Sequence, residues 1–326
     1  MERKIRIGLY GSNGHQLHRK LGKHPDAELK AVCGLTAEQL KSAGCYREGE
    51  VIFYDSLEEL LKDDNLDLIS LCSPKRKDQA QDAIACLKAG KHVYAEKPAV
   101  LSQEELDHVL AVAVQTGCEF HEMADTVFCE PYWSMRRLIQ SGKIGEVVQV
   151  YVQKSYPLSV HTRPQDEVTD GGLIRWVGIH AIRFLEHITG VQVKTVHVCQ
   201  THLGNIRENE GLFTASSWAM TLENGGVASA CVNYLNPKGF GQWGNETVRV
   251  FGTEGMIEVV DGKRSSHIYT QQGDEGVIDT SHSDCEDFFD QYMAHLRYGT
   301  PMSMSLEEEL HPLRVVLHAF EKAVCV

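Results

Sequence analysis

Ala95-Glu96-Lys97-Pro98 closes a run of alternating strands and helices that opens on the turn Gly8-Leu9-Tyr10-Gly11-Ser12-Asn13-Gly14. Between those two points, apolar alternation marks strands at Ile5, Ile7 and Leu9, at Leu29 to Val32, at Leu66 to Cys72 and at His92 to Ala95, and a further one runs from Phe120 to Met123. Helices separate them. Ser56 with Glu59 and Ser102 with Glu105 have the spacing at which a hydroxyl and a carboxylate satisfy backbone donors at a helix start, and Gly90 and Gly117 stand where C-terminal caps belong. Strand and helix in strict alternation predict an α/β fold with a doubly wound parallel sheet and right-handed crossovers, which binds ligands at the carboxyl ends of its strands.

Past Pro131 the pattern changes. A helix from Tyr132 to Ser141 leads through Gly142-Lys143-Ile144-Gly145 into an alternating strand from Val147 to Tyr156. Strands are then predicted at Thr195 to Cys199, Thr214 to Leu222, Val227 to Tyr234, Thr247 to Phe251 and Met256 to Val260, with turns at Asn224-Gly225-Gly226 and Asp261-Gly262. The division is therefore a dinucleotide-type domain over 1–123 and an α+β domain over 124–326 with an open, mainly antiparallel sheet.

Composition sets limits on function. With 326 residues, 42% of them hydrophobic, the chain is long enough for two cores. No apolar run approaches the roughly 20 residues of a membrane span, and a strand begins too early for a signal peptide, so a cytoplasmic protein with no membrane partner is expected. Ten cysteines occur without a C-x-x-C pair, which supports neither disulfides nor a structural metal. A formal charge of -13 disfavours nucleic acid as a partner and leaves small molecules.

The first turn matches the dinucleotide pattern GxGxxG only in part. Gly11 fits the first glycine, Asn13 and Gln16 stand at the second and third, and Gly14 is displaced by one. Such a turn would bring the backbone of Gly11, Ser12, Asn13 and Gly14 to a pyrophosphate resting on the amides of a following helix. The second strand ends Val32-Cys33-Gly34-Leu35-Thr36, without the acidic residue that usually grips a ribose, and no arginine stands ready for a 2′-phosphate. NAD and NADP both stay open. The cations Lys75-Arg76-Lys77 read first as a solvated helix entry, with a contact to cofactor phosphate as the lesser alternative.

Several stretches together carry a family resemblance: Ser73-Pro74, Ala89-Gly90-Lys91-His92-Val93, Glu96-Lys97-Pro98, Ser141-Gly142-Lys143-Ile144-Gly145-Glu146-Val147, Gly171-Gly172 through His180, and Phe251-Gly252-Thr253-Glu254-Gly255. In this order, over nearly the whole chain, they resemble the glucose-fructose oxidoreductase/inositol dehydrogenase/rhizopine catabolism protein family. The resemblance implies a Rossmann domain followed by a substrate domain, and NAD- or NADP-linked hydride transfer on a hydroxyl of a sugar, inositol or related polyol. It also implies a homodimer or homotetramer formed through the open sheet. Carried over by motif, Lys97 and His180 are the catalytic pair, while Ser73, Pro74, Glu96, Lys97 and Pro98 join the first turn in holding the cofactor. Hydride removal from an alcohol carbon needs an acceptor for the hydroxyl proton, which suits His180. Lys97 as an ammonium would stabilise charge on that oxygen, while burial beside a positive nicotinamide would favour its neutral form.

Two departures stand out. Trp176 takes the place of an aspartate four residues before the histidine, and Arg183 replaces a commonly acidic residue three after it. Indole offers a face for a sugar ring and the arginine a partner for an anionic group, so Trp176 and Arg183 join His161 and Arg163, in the polar segment before the double glycine, as substrate-binding candidates. Tyr156 reads equally as a core ring or a sugar contact. Glu186-His187 reads as a solvated helix face, and Asp284 to Asp287 as a helix start. Two alternatives accompany the dehydrogenase reading: a redox-assisted NAD-dependent glycosidase of the same superfamily, and a non-catalytic nucleotide- or sugar-binding regulatory protein.

Overall fold

Six parallel strands, β1 (Ile5–Tyr10), β2 (Ala27–Cys33), β3 (Ile52–Phe53), β4 (Leu68–Leu71), β5 (His92–Ala95) and β6 (Phe120–Glu122), pair in the order β3-β2-β1-β4-β5-β6. They belong to a computed structural model that describes residues 3–157, 163–205 and 211–326. The order reverses between β1 and β4, which is the doubly wound switch point of a Rossmann sheet. Ile7, Leu9, Leu68, Ile69 and Leu71 are all fully buried, because a parallel sheet is covered on both faces. The strand pattern of the sequence gives no sign of β3: two exposed residues are too few to show a period.

Helices cover this sheet over Ala37–Ser42, Leu57–Leu61, Gln79–Lys88 and Gln103–Thr116. The last starts where Ser102 Oγ accepts from Glu105 N and stops at Gly117, which adopts φ +68°. Glu105 bonds the amide of Leu101, one residue before the cap, and the reciprocal box forms instead at Thr36 and Gln39. One expected helix is missing. Between β1 and β2 the chain makes two single 3₁₀ turns, Leu17–Arg19 and Leu21–Lys23. The cause lies at the third glycine position, where Gln16 is buried and donates to the carbonyls of Tyr10, Gly11 and Ser70 while accepting from Leu17 N. A side chain wedged there prevents the close helix-to-strand approach that glycine permits.

By packing, this first unit comprises residues 3–123 together with Val168–Asp170 and Phe288–Leu306. The late segment carries the helix Phe288–Tyr298, whose Phe289 and Tyr292 are fully buried against Tyr94 at ring separations of 5.6 and 5.8 Å. A division at 123/124 does not anticipate this return of the chain.

The second unit takes the described parts of Ala124–Glu167, Gly171–Asp287 and Glu307–Val326. Its sheet is built from β7 (Val147–Ser155), β8 (Val193–Thr201), β9 (Ala215–Leu222), β10 (Val227–Asn233), β11 (Asn245–Gly252), β12 (Gly255–Val260), β13 (Ser265–Thr270), β14 (Gly273–Gly276) and β15 (Val324–Cys325). The order is β14-β13-β12-β11-β7-β10-β9-β8-β15. Pairing is antiparallel except for β7 with β10 and β8 with β15, so the sheet is mixed and mostly antiparallel, as the hairpin signals predict. The helices Tyr132–Gln140 and Gly178–Thr189 pack on one face. On the other, Ser217, Ala219 and Thr221 of β9 and Ser229 of β10 are exposed.

Among the described residues no helix is long and apolar enough to cross a membrane, and no group of His, Cys, Asp and Glu is arranged to hold a metal ion.

Candidate functional site

The first turn is held by side chains from the ends of neighbouring strands. Gly11 has φ +71°, and a Cβ there would stand 2.0 Å from the carbonyl oxygen of Cys72, so the position excludes every other residue. Gly34, just past β2, has φ +87° and its own Cβ would lie 3.2 Å from Gly11 Cα, so the ends of β1 and β2 form a bare backbone surface. Gly14 sits on Glu96: a Cβ would come within 2.5 Å of its carboxyl carbon. Asn13 reaches out of the turn, its Nδ2 donating to the carbonyls of Thr169 (2.7 Å) and Pro74 (3.3 Å).

Glu96 is fully buried just beyond β5 and accepts from His15 N at 2.6 Å, with His15 Nδ1 at 3.1 Å. Burial would raise its carboxyl, yet the bond to His15 and the charges of His15, Lys97 and Arg76 outweigh burial and hold it at about 2. Arg76 contradicts the solvated reading of Lys75-Arg76-Lys77. It is 1% exposed, with Nη2 donating to Asn13 O at 2.7 Å and Nη1 paired to Gln79. The reason is demand for a cation: the Glu96 and Glu122 carboxylates act on it from within the same interior. Gln79 in turn donates to the carbonyls of Glu96, Pro98 and Ala99, and Glu122 accepts from Ala99 N at 2.7 Å.

Lys97 is thus carried on a segment pinned from both sides. It is itself buried, and the Lys97-Pro98 bond is cis. Ser73 Oγ donates to Asp82 at 2.7 Å. The structure therefore joins Gly11, Asn13, Gly14, Pro74 and Glu96 in one hydrogen-bonded assembly. Arg76, Gln79 and Glu122 belong to it too, and sequence reasoning misses all three. A carboxylate at the end of β6, directly before the apolar Met123, is the one available signal.

These residues fit a dinucleotide. The Gly11–Gly34 surface allows close approach, and Arg76 puts a positive charge beneath the turn where a helix dipole is lacking. Among the turn's amides, those of Gly11, Asn13, Gly14, His15 and Leu17 donate within the protein, which leaves those of Ser12 and Gln16 for an outside acceptor among the described residues.

In the second unit His180 lies on the helix Gly178–Thr189, with Nδ1 2.9 Å from Thr126 Oγ1 in the turn Asp125–Val127. Thr126 carries no sequence signal. The helix is entered through Gly171 and Gly172, at φ +102° and +75°, and a single π turn, Leu173–Val177. Gly172 rests on Glu167, whose carboxylate oxygen would be 2.3 Å from a Cβ, and Arg175 donates from Nε to Gly171 O at 2.8 Å.

Rings gather beside His180. Tyr156 meets it edge-on at 6.3 Å and stands 5.6 Å from Trp176 and 6.2 Å from Trp243. The Arg163 guanidinium lies 4.1 Å from the Trp176 ring and 4.3 Å from that of Tyr234. Trp176, Arg163 and His180 therefore share one neighbourhood, and Trp243, 61% exposed, extends it. Arg183 is fully buried on the same helix, and His161 lies outside the described residues.

Glu186 and His187 are also buried, contrary to a solvated face, because the helix is packed between the sheet and the segment that begins after Leu306. His187 Nε2 lies 3.0 Å from the carbonyl oxygen of Glu308, and burial, helped by the Arg183 charge, lowers the imidazole to about 3. Glu186 pairs with His311 at 2.9 Å, burial raising its carboxyl against that bond.

A family model described as "Oxidoreductase family, NAD-binding Rossmann fold" matches residues 5–123, and one for the GFO/IDH/MocA C-terminal domain matches 132–258. The "Uncharacterized oxidoreductase YrbE" of Bacillus subtilis is 26% identical over 86% of this chain and 81% of its own. The myo-inositol 2-dehydrogenase of Thermotoga maritima is 23% identical over 83% and 80%. Among solved structures, myo-inositol 2-dehydrogenase from Lactobacillus plantarum superposes with a TM-score of 0.77 at 18% identity, covering 98% of this chain and 97% of that one.

Proposed function

Since this chain belongs to the GFO/IDH/MocA oxidoreductase family and its first domain is an NAD-binding Rossmann fold, we propose that it transfers a hydride between NAD or NADP and a hydroxyl of a sugar, inositol or related polyol. The observation that carries this reading is His180, its Nδ1 held by Thr126 and its ring flanked by Tyr156 beside Trp176. An imidazole oriented at one nitrogen takes or gives a proton at the other. Aromatic faces suit the C–H faces of a sugar or cyclitol ring.

Gly11 to Gly14, Ser73-Pro74 and Glu96 to Pro98 hold the cofactor in this reading, which when bound supplies the hydride exchange. The proton goes from the substrate hydroxyl to His180, while the Lys97 ammonium stabilises negative charge developing on the oxygen. Trp176, Tyr156 and Arg163 orient the ring. The inositol dehydrogenases among the relatives favour a polyol.

Titration with NADH and NADPH, followed by tryptophan quenching, and then a polyol panel read by nicotinamide absorbance test the proposal. Saturable binding and net reduction by a polyol are expected. Glycoside cleavage without net reduction would replace hydride transfer by the redox-assisted route, and absence of nucleotide binding would leave a non-catalytic protein. The open sheet face, with Ser217, Ala219 and Ser229 exposed, supports a homodimer or homotetramer. Light scattering on the purified protein checks it, and a monomer at micromolar concentration rejects it.

A further inference from the structure

We propose that Asp55, just past β3, supplies the ribose-reading carboxylate that the end of β2 lacks, and that the chain therefore prefers NAD over NADP. This rests on the reading that a nicotinamide dinucleotide occupies the first turn.

The strand register places the residue. β2 and β3 are parallel, Ala31 pairing with Ile52 and Val32 with Phe53, and Tyr54 N donates to Val32 O at 2.9 Å. Continued by two residues, that register sets Cys33 beside Tyr54 and Gly34 beside Asp55, at the neighbouring-strand spacing of about 5 Å. Gly34 is where a Rossmann strand usually ends in an acid, but here it takes φ +87°, which strains any L side chain, and a Cβ would crowd Gly11 Cα at 3.2 Å. The acid thus arrives from the adjacent strand end.

Charge and availability agree. Asp55 is exposed, and its carboxylate has no hydrogen-bond or ion-pair partner among the described residues; its amide instead binds Glu59. The neighbouring Cys33 thiol is pushed up by burial first and then by the Asp55 and Glu59 carboxylates, so their negative field reaches the end of β2. Two cations lie between Gly34 and Asp55 in the chain, and both are engaged elsewhere. Lys41 sits 5.2 Å over the Tyr46 ring, and Arg47 pairs with Glu50 on a cavity shared with Lys4 and Glu28. A ribose 2′-hydroxyl donates to a carboxylate, whereas a 2′-phosphate dianion is repelled by it.

The test is binding, without turnover. Dissociation constants for NADH and NADPH are measured by fluorescence quenching on the full chain, on Asp55→Asn and on Glu58→Gln, with circular dichroism confirming the fold of each. The wild type should bind NADH about tenfold or more tightly than NADPH, a charged hydrogen bond being worth that much. Asp55→Asn should bring the two within about threefold by strengthening NADPH, and Glu58→Gln, whose carboxylate faces Lys62, should keep the wild-type ratio. Equal or tighter NADPH binding by the wild type, or an unchanged ratio in Asp55→Asn, overturns the proposal while the dehydrogenase reading stands. Failure of both nucleotides to bind removes that reading first and this proposal with it.

Discussion

Two glycine turns, one in each unit, are locked by the same pair of devices. Gly14 rests on the Glu96 carboxylate while Arg76 donates to Asn13 O; Gly172 rests on the Glu167 carboxylate while Arg175 donates to Gly171 O. The two chains of residues leaving these turns differ. The first runs into 3₁₀ turns with its arginine sealed in the interior, and presents backbone. The second runs into a π turn and a helix that present His180 and Trp176, its arginine stacked 3.5 Å over Phe320. The same anchoring chemistry thus underlies a bare backbone surface in one unit and a histidine beside a cluster of rings in the other.

The sharpest division between the two turns is kinetic. Lys97→Met and His180→Asn are each expected to lower kcat by about 10²–10⁴-fold, with NADH affinity held within about threefold in His180→Asn; steady-state rates and quenching titrations decide it. A parallel loss of nucleotide affinity in His180→Asn would merge the two roles.

Next comes stability. Arg76→Met removes one of the buried cations that face Glu96 and Glu122 and should cost about 3–5 kcal/mol in urea unfolding. Arg175→Met, whose partner Glu167 is partly solvated (24% side-chain exposure), should cost about 1–3 kcal/mol. Equal losses would erase the distinction between a sealed and an open anchor.

Acid separates the units by pH. His187 is lowered from its ordinary 6.5 to about 3, so the fold favours its neutral form; that stability is present above pH 6.5 and drains as pH falls toward 3. Glu96 is lowered from 4.5 to about 2, so its contribution is present above pH 4.5 and is lost only between there and about 2. Unfolding midpoints against pH should show His187→Gln flattening the limb below 6.5 and Glu96→Gln only the limb below 4.5.

The smallest effect is on substrate affinity. Trp176→Ala removes one ring beside Tyr156 and should raise KM up to about tenfold with kcat little changed; a fall in kcat alone would make Trp176 a support for His180 rather than a platform.

The parallel sheet is legible in the sequence because β1 shows apolar alternation and β4 and β5 are short, mostly apolar runs set among helix signals, and Glu96-Lys97-Pro98 because it comes directly after such a run. The anchors beneath them are not. Arg76 looks like any surface cation in a basic triplet, since nothing local reports the carboxylates that reach it from β5 and β6. Gln16 looks like a defect in the glycine pattern, whereas its amide replaces the bonds a helix start would make. In the second unit the ring cluster draws Tyr156, Trp176, Tyr234 and Trp243 from separate segments, and contacts made across such distances leave no period in the chain. Thr126 is hidden for the same reason.

The return of Phe288–Leu306 has a consequence for biosynthesis. A ribosome releases the six parallel strands long before Phe289 and Tyr292 exist to cover Tyr94, His24 and His121. The nascent nucleotide-binding half must wait, with part of its interior bare, while residues 124 to 287 are polymerised. Premature termination anywhere in that interval yields a chain whose first half is damaged as surely as its second, so cellular quality control meets an intact nucleotide-binding half only in chains extended through Leu306.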